Sequence, residues 1–232
     1  MILSVEAIAY IRNEYKDKFG IPRQSGLVNR TISEIIFYEK YRDNNALRGL
    51  EQYSHIWLLW IFTEAECEKE WNPTVRPPRL GGNKRVGVFS TRSPFHPNRI
   101  GLSCVKIQAI DKTNDLGTII KVTGADLLDG TPIIDIKPYL AFTDSHPDAI
   151  CGFADDVINN NVNVSFSDNL SGINDDLSDT VCEILSQNPK PSYQNDYDRI
   201  YSMRYSDYDI KFMYNKTGIT VTDIIKLNGS EK

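Results

Sequence analysis

Turn residues interrupt this chain so often before Pro147 that no stretch there is long enough for a convincing helix, and the pieces between the breaks read as strands. Ala7 to Ile11, Glu34 to Tyr38, His55 to Phe62, Arg85 to Thr91, Leu102 to Ile110, Thr118 to Thr123 and Ile133 to Ile136 follow one another in this way. From Leu102 the alternation is explicit: Val105, Ile107 and Ala109 fall on one face, and Cys104, Lys106 and Gln108 on the other. That is the period of a half-buried strand. A run of short strands at this spacing is the rhythm of a barrel. The longest apolar run, Ile56-Trp57-Leu58-Leu59-Trp60-Ile61-Phe62, is far too short to cross a bilayer and is expected to be a buried strand.

A chain of 232 residues, 41% hydrophobic and 25% charged, can bury one large core and still carry a small appendage. The texture changes between Ser145 and Asn169, where Asn159-Asn160-Asn161 and Asn163 replace the strand pattern, so a boundary is expected there. Beyond it, Asp175 to Asn188 places Leu177, Val181, Ile184 and Leu185 on one helical face, and Pro189 ends the segment. Tyr208, Ile210, Phe212 and Tyr214 then alternate up to a turn at Asn215 to Gly218, and Ile219 and Val221 continue on the far side, a β-hairpin. The expected fold is mainly β: a single β-barrel domain over 1–144, a connecting segment over 145–170, and a small α+β C-terminal domain over 171–232.

Charge is segregated along the chain. Between Glu70 and Asp111 there is no carboxylate, yet Arg76, Arg79, Lys84, Arg85, Arg92, Arg99 and Lys106 all fall in that window of a protein whose net charge is -5. Pro and Gly are interleaved with these cations, which suits a shaped loop presenting Arg side chains to an anionic partner better than a solvated helix face. Cys67, Cys104, Cys151 and Cys182 form no C-x-x-C pair, and His55, His96 and His146 are equally scattered, so neither a zinc site nor a disulfide framework is indicated. Glu6, Arg12 and Glu14 interrupt the N-terminus too early for a signal peptide, and the expected location is the cytoplasm.

Three further segments invite a chemical reading. Gly20-Ile21-Pro22-Arg23-Gln24-Ser25-Gly26 exposes a cation and an amide on a restrained turn, although an ordinary turn would read the same way. Gly124-Ala125-Asp126-Leu127-Leu128-Asp129-Gly130-Thr131-Pro132 sets two carboxylates beside a sharp turn, and its plain alternative is a strand-connecting loop. His55 stands at the mouth of the apolar run without a Ser or Cys and matching acid to complete a nucleophilic set, so a hydrolase is not supported. Neither G-x-G-x-x-G nor G-x-x-x-x-G-K-[ST] occurs, so the common nucleotide cradles are missing.

Taken together, Pro22-Arg23-Gln24, Ser54-His55-Ile56-Trp57, the Val75 to Leu102 block and Asp126 through Tyr139 closely resemble the TsaA-like (YaeB or TrmO) family, and Asn188-Pro189-Lys190-Pro191-Ser192-Tyr193 with the final hairpin resembles the C-terminal region of its full-length bacterial members. The resemblance implies a β-barrel that binds S-adenosylmethionine, a homodimer, and a methyltransferase acting on N6 of threonylcarbamoyladenosine next to the tRNA anticodon. It implies cofactor contacts at Pro22, Arg23, Gln24, Phe62, Thr63, Arg92, Leu102, Asp126, Leu127, Leu128, Asp129, Gly130 and Thr131. Arg76, Arg79, Lys84, Arg85 and Arg99 are then expected to meet the anticodon arm. Arg23 or Arg92 would bind the cofactor carboxylate, and Asp126 or Asp129 its amine or ribose. Asp135, Tyr139 and His55 are the candidates for a catalytic base. His96 and Arg99 stand where the family has Arg and Pro. The alternative is a non-catalytic S-adenosylmethionine- or nucleotide-binding regulatory module.

Overall fold

A computed structural model describes residues 1–64, 71–80, 84–157, 161–170, 173–190 and 199–227, with backbone alone for Arg79, Asp156 and Val157. Cys67, the Gly81-Gly82-Asn83 step, Asn159, Asn160 and Pro191-Ser192-Tyr193 lie outside the described residues. The first part carries β1 (Ala9–Arg12), β2 (Ile32–Phe37), β3 (His55–Ile61), the short pair β4 (Thr74–Val75) and β5 (Val86–Gly87), then β6 (Ile100–Thr113), β7 (Gly117–Thr123) and β8 (Pro132–Pro138). After the short helix α1 (Ala141–Asp144) come β9 (Asn163–Phe166), helix α2 (Asp175–Ser186), β10 (Ile200–Tyr205), β11 (Tyr208–Asn215) and β12 (Gly218–Lys226).

In the first sheet the strands pair in the cyclic order β1-β2-β7-β6-β3-β8, and β8 returns antiparallel to β1 through Ala9↔Ile133 and Tyr10↔Pro132, which closes a barrel. Alternate side chains fill it: Ile35 and Phe37 from β2, Ile56, Leu58 and Trp60 from β3, Val105 from β6, Ile120 and Val122 from β7. Trp57, Leu59 and Ile61 point the other way and are only half-buried, so the apolar run is a strand with one covered face rather than two.

Arg85 to Thr91 does not make one strand. It forms β5, which pairs only with β4, and a 3₁₀ turn over Val88–Ser90. Val88 is its one buried side chain, so no second inward residue holds the segment on a sheet. The Asn-rich connection also departs from expectation: it contains β9, which lies parallel to β12 from Gly218↔Asn163 to Val221↔Phe166. The second sheet therefore has the order β10-β11-β12-β9.

Helix α2 begins where the Asn174 side chain accepts the Asp176 amide, and it buries Val181, Ile184 and Leu185 against that sheet. The feature that positions the site is the excursion between β1 and β2. Its Tyr15 and Val28 are buried in the second core, with Phe19 and Ile21 packed against the same cluster. Phe19 stacks on Phe212 at a centroid distance of 6.1 Å. The Glu183 carboxylate of α2 accepts the Asn29 and Arg30 amides at 2.9 and 3.1 Å. A loop of the barrel is thus built into the core of the second unit.

Candidate active site

A cavity of about 880 Å³ opens where this excursion meets the ends of β3 and β6. Its walls come from Ile21 to Gln24 on the excursion, Trp60, Phe62 and Thr63 at the end of β3, Thr91 to His96 before β6, Ile100 to Leu102 at the start of β6, and Asp126, Leu128 and Thr131 after β7. The lining is mostly apolar with a few convergent polar groups, as in sites for small organic ligands.

One buried polar chain stands out. In the β3–β6 register Trp60 faces Gly101, and a Cβ on Gly101 would lie 2.2 Å from the indole. Only a residue without a side chain lets the ring lie across β6 here. From that position the indole N–H donates to Ser103 Oγ at 2.9 Å. Indole cannot accept, so the single Ser103 proton is left for Asp126, and the Ser103 hydroxyl donates to Asp126 Oδ1. Burial pushes the Asp126 carboxyl up from 3.8 to about 6, although the Ser103 hydroxyl, the Asp126 and Ser25 amides and the Arg92 charge all favour its ionised form. Arg92 itself donates to Gln24 Oε1 at 2.7 Å, so the cation is held at the cavity by the turn opposite.

Of the residues expected at the cofactor, Pro22, Arg23, Gln24, Phe62, Thr63, Arg92, Leu102, Asp126, Leu128 and Thr131 line this cavity. Leu127, Asp129 and Gly130 do not. Leu127 is wholly buried in the barrel core, and the Asp129 carboxylate accepts the Asn13 amide and pairs with Lys16 at 2.8 Å. Gly130, at φ 78, completes the turn that carries the chain from Asp129 towards β8. Arg23 lines the wall, yet its guanidinium also donates to Pro189 O at 2.8 Å and Lys190 O at 3.0 Å, tying the turn to the end of α2.

The candidates for a base lie elsewhere. Asp135 pairs with Lys137 at 2.7 Å, and His55 and Trp57 pack around Tyr139 with ring centroids 6.1 and 5.7 Å apart. None of Asp135, Tyr139 and His55 lines the cavity. Sequence reasoning missed Trp60 and Ser103, whose roles depend on strand register and leave no local motif. His96 also lines the cavity, with Nε2 2.9 Å from Thr91 O. Among the expected RNA contacts, Arg76 and Lys84 are exposed, Arg85 donates to Thr74 Oγ1 at 2.9 Å, and Arg99 adopts a left-handed φ of 50. The Arg79 side chain lies outside what the structure describes.

Known proteins resemble both parts of the chain. The family model described as tRNA-methyltransferase O N-terminal domain matches residues 10–145, and that of the TrmO C-terminal domain matches 159–227. The chain is 40% identical over 225 residues to the tRNA (adenine(37)-N6)-methyltransferase of Escherichia coli, covering 93% of this chain and 95% of the relative. A probable S-adenosyl-L-methionine-binding protein of Methanothermobacter thermautotrophicus is 37% identical over 145 residues, 62% of this chain and 96% of the relative. The crystal structure of TrmO from Pseudomonas aeruginosa superposes with a TM-score of 0.77 at 31% identity, covering 97% of this chain and 98% of that one. On the evidence of both its parts, the chain belongs to the tRNA-methyltransferase O family.

Proposed function

We propose that the cavity binds S-adenosylmethionine and that the protein methylates N6 of adenine 37 of tRNA, in the form that carries a threonylcarbamoyl group, in the cytoplasm. The observation that carries this reading is convergence: the Pro22 turn, Phe62, Arg92, Leu102 and Asp126, distant in sequence, share one cavity of a size suited to a nucleoside cofactor. The residues present fit such a molecule. Phe62 and Leu102 offer apolar faces to an adenine, and Arg92, held by Gln24, offers a charge to a carboxylate. When bound, the cofactor supplies an electrophilic methyl on a sulfonium; the protein must align an acceptor with it and exclude water.

The acid-free window from 71 to 110 borders the same cavity through Arg92 and offers Arg76, Lys84 and Arg85 to tRNA phosphates. Trp71, Phe89, Phe95, Ile100 and Leu102 are exposed on this side, and a second copy of the chain covering them makes the functional unit a homodimer. Mass spectrometry of nucleosides from bulk tRNA, with and without the gene, tests the reading. Loss of one N6-methylated threonylcarbamoyl nucleoside is expected. An unchanged profile from cells without the gene, with calorimetric cofactor binding retained, would leave a non-catalytic S-adenosylmethionine-binding module.

A further inference from the structure

Methylation at an exocyclic nitrogen that bears a carbonyl substituent needs somewhere for a proton to go, because the lone pair is delocalised and the nitrogen is a poor nucleophile while it keeps its hydrogen. The three candidates for that base are not at the cavity, whereas two other carboxylates are: Glu64, which is exposed and paired with Lys18, and Asp126, which is buried. Asp126 faces the cavity, sits on the loop after β7, and is aimed by a chain of donors that begins at Trp60. Its surroundings are those of a positioned base rather than of a partner to an ion. Arg92 is the cation whose charge reaches it, and that guanidinium is engaged with Gln24. Tyr15 stands behind, with its phenol beside Thr31. Lys18, Arg23, Glu64 and His96 belong to the same cavity walls. Lys18 and Glu64 pair with each other at 3.6 Å, and Arg23 is committed to the carbonyls of Pro189 and Lys190.

We propose that Asp126 is the proton acceptor of the methyl transfer and that Ser103 and Trp60 are positioning residues acting through it. This rests on the functional reading above. As the acceptor nitrogen bonds to the methyl carbon, the carbon–sulfur bond breaks with its electron pair left on sulfur. The nitrogen's proton passes to the Asp126 carboxylate, which returns it to solvent when the products leave. An acid raised to about 6 is still ionised at neutral pH but is a stronger base than an ordinary carboxylate, which is the compromise a general base needs.

The test uses the full chain, S-adenosylmethionine, and bulk tRNA from cells that lack the gene. Wild-type protein is assayed first: if it transfers no methyl group, the functional reading fails before any variant is compared, and this inference with it. With an active wild type, Asp126→Asn is expected to bind S-adenosylmethionine by calorimetry within about threefold of wild type and to lose roughly 100-fold or more in kcat. The acid inflection of the wild-type kcat/KM profile, expected near pH 6, should be absent from the residual activity of the variant. Ser103→Ala should keep the cofactor affinity and move the inflection to higher pH, since a donor to the ionised carboxylate has been removed. NMR titration of the Asp126 carboxyl in ligand-free protein reads the same displacement without turnover. Retention of more than about a third of kcat in Asp126→Asn, a tenfold or greater loss of its cofactor affinity, or an inflection unmoved by Ser103→Ala would each overturn the assignment.

Discussion

Gly101 shows how one absent side chain sets the site. Adding a methyl there drives it into the Trp60 ring at 2.2 Å, so the indole must leave its seat and release Ser103. Gly101→Ala is expected to cost about 1–3 kcal/mol of stability, read as a lowered urea midpoint at constant slope. Asp126 leaves a second signature. Its folded-state carboxyl is raised, so native protein holds that proton more tightly than unfolded chain does. The stabilising contribution of the protonated form is complete below about pH 4 and is lost as pH rises through about 6, amounting to about 3 kcal/mol at neutral pH. Asp126→Asn should escape that loss. Denaturation at pH 4 and pH 7.5 should show the variant gaining on wild type as pH rises, and a constant difference would refute the linkage. None of this could be read before the fold was known. The motif containing Asp126 was visible, but its burial and its link to Trp60 depend on which residue of β6 faces which residue of β3.

At the scale of elements, the contact between the β1–β2 excursion and helix α2 can be isolated at Glu183. Its carboxylate takes two amides, so Glu183→Ala leaves both without that acceptor and is expected to cost about 1–3 kcal/mol. Hydrogen exchange should accelerate at Asn29 and Arg30 before it does in the barrel strands. Much of the element structure was legible. Alternation in β3, and in β6 as far as Ile107, follows inward and outward faces, beyond which an irregularity brings Ile110 instead of Ala109 to the core; the helix buries three of the side chains assigned to its apolar stripe, and the tail hairpin turns at Asn215 to Gly218. What escaped notice is strand identity fixed by a distant neighbour. β9 is a run of four in which polar Asn163 and Ser165 alternate with Val164 and Phe166, and only its pairing with β12 makes it a strand. Arg85 to Thr91 failed in the opposite sense, being strand-like in composition but paired only at Val86-Gly87, against β4 and not in the barrel.

For the whole molecule, net charge and local charge oppose each other. A chain at -5 overall keeps one acid-free window of cations, and on the proposal that this window meets RNA, tRNA affinity should fall steeply with salt. Replacing Arg76 and Lys84 together by Ala should flatten the plot of log affinity against log salt by roughly one to two in slope, measured by filter binding. An unchanged slope would place the docking face elsewhere. Removing residues 159–232 should also uncover Tyr15, Phe19, Ile21 and Val28, leaving a barrel that self-associates on size-exclusion chromatography. The Arg23 contacts carry a consequence beyond stability. Because the turn at the proposed methyl-donor cavity is fastened to the carbonyls that follow α2, a genetic screen for failed donor binding should return lesions in the segment after α2 as well as in the barrel. Such mutants would look like pocket defects while altering no pocket residue.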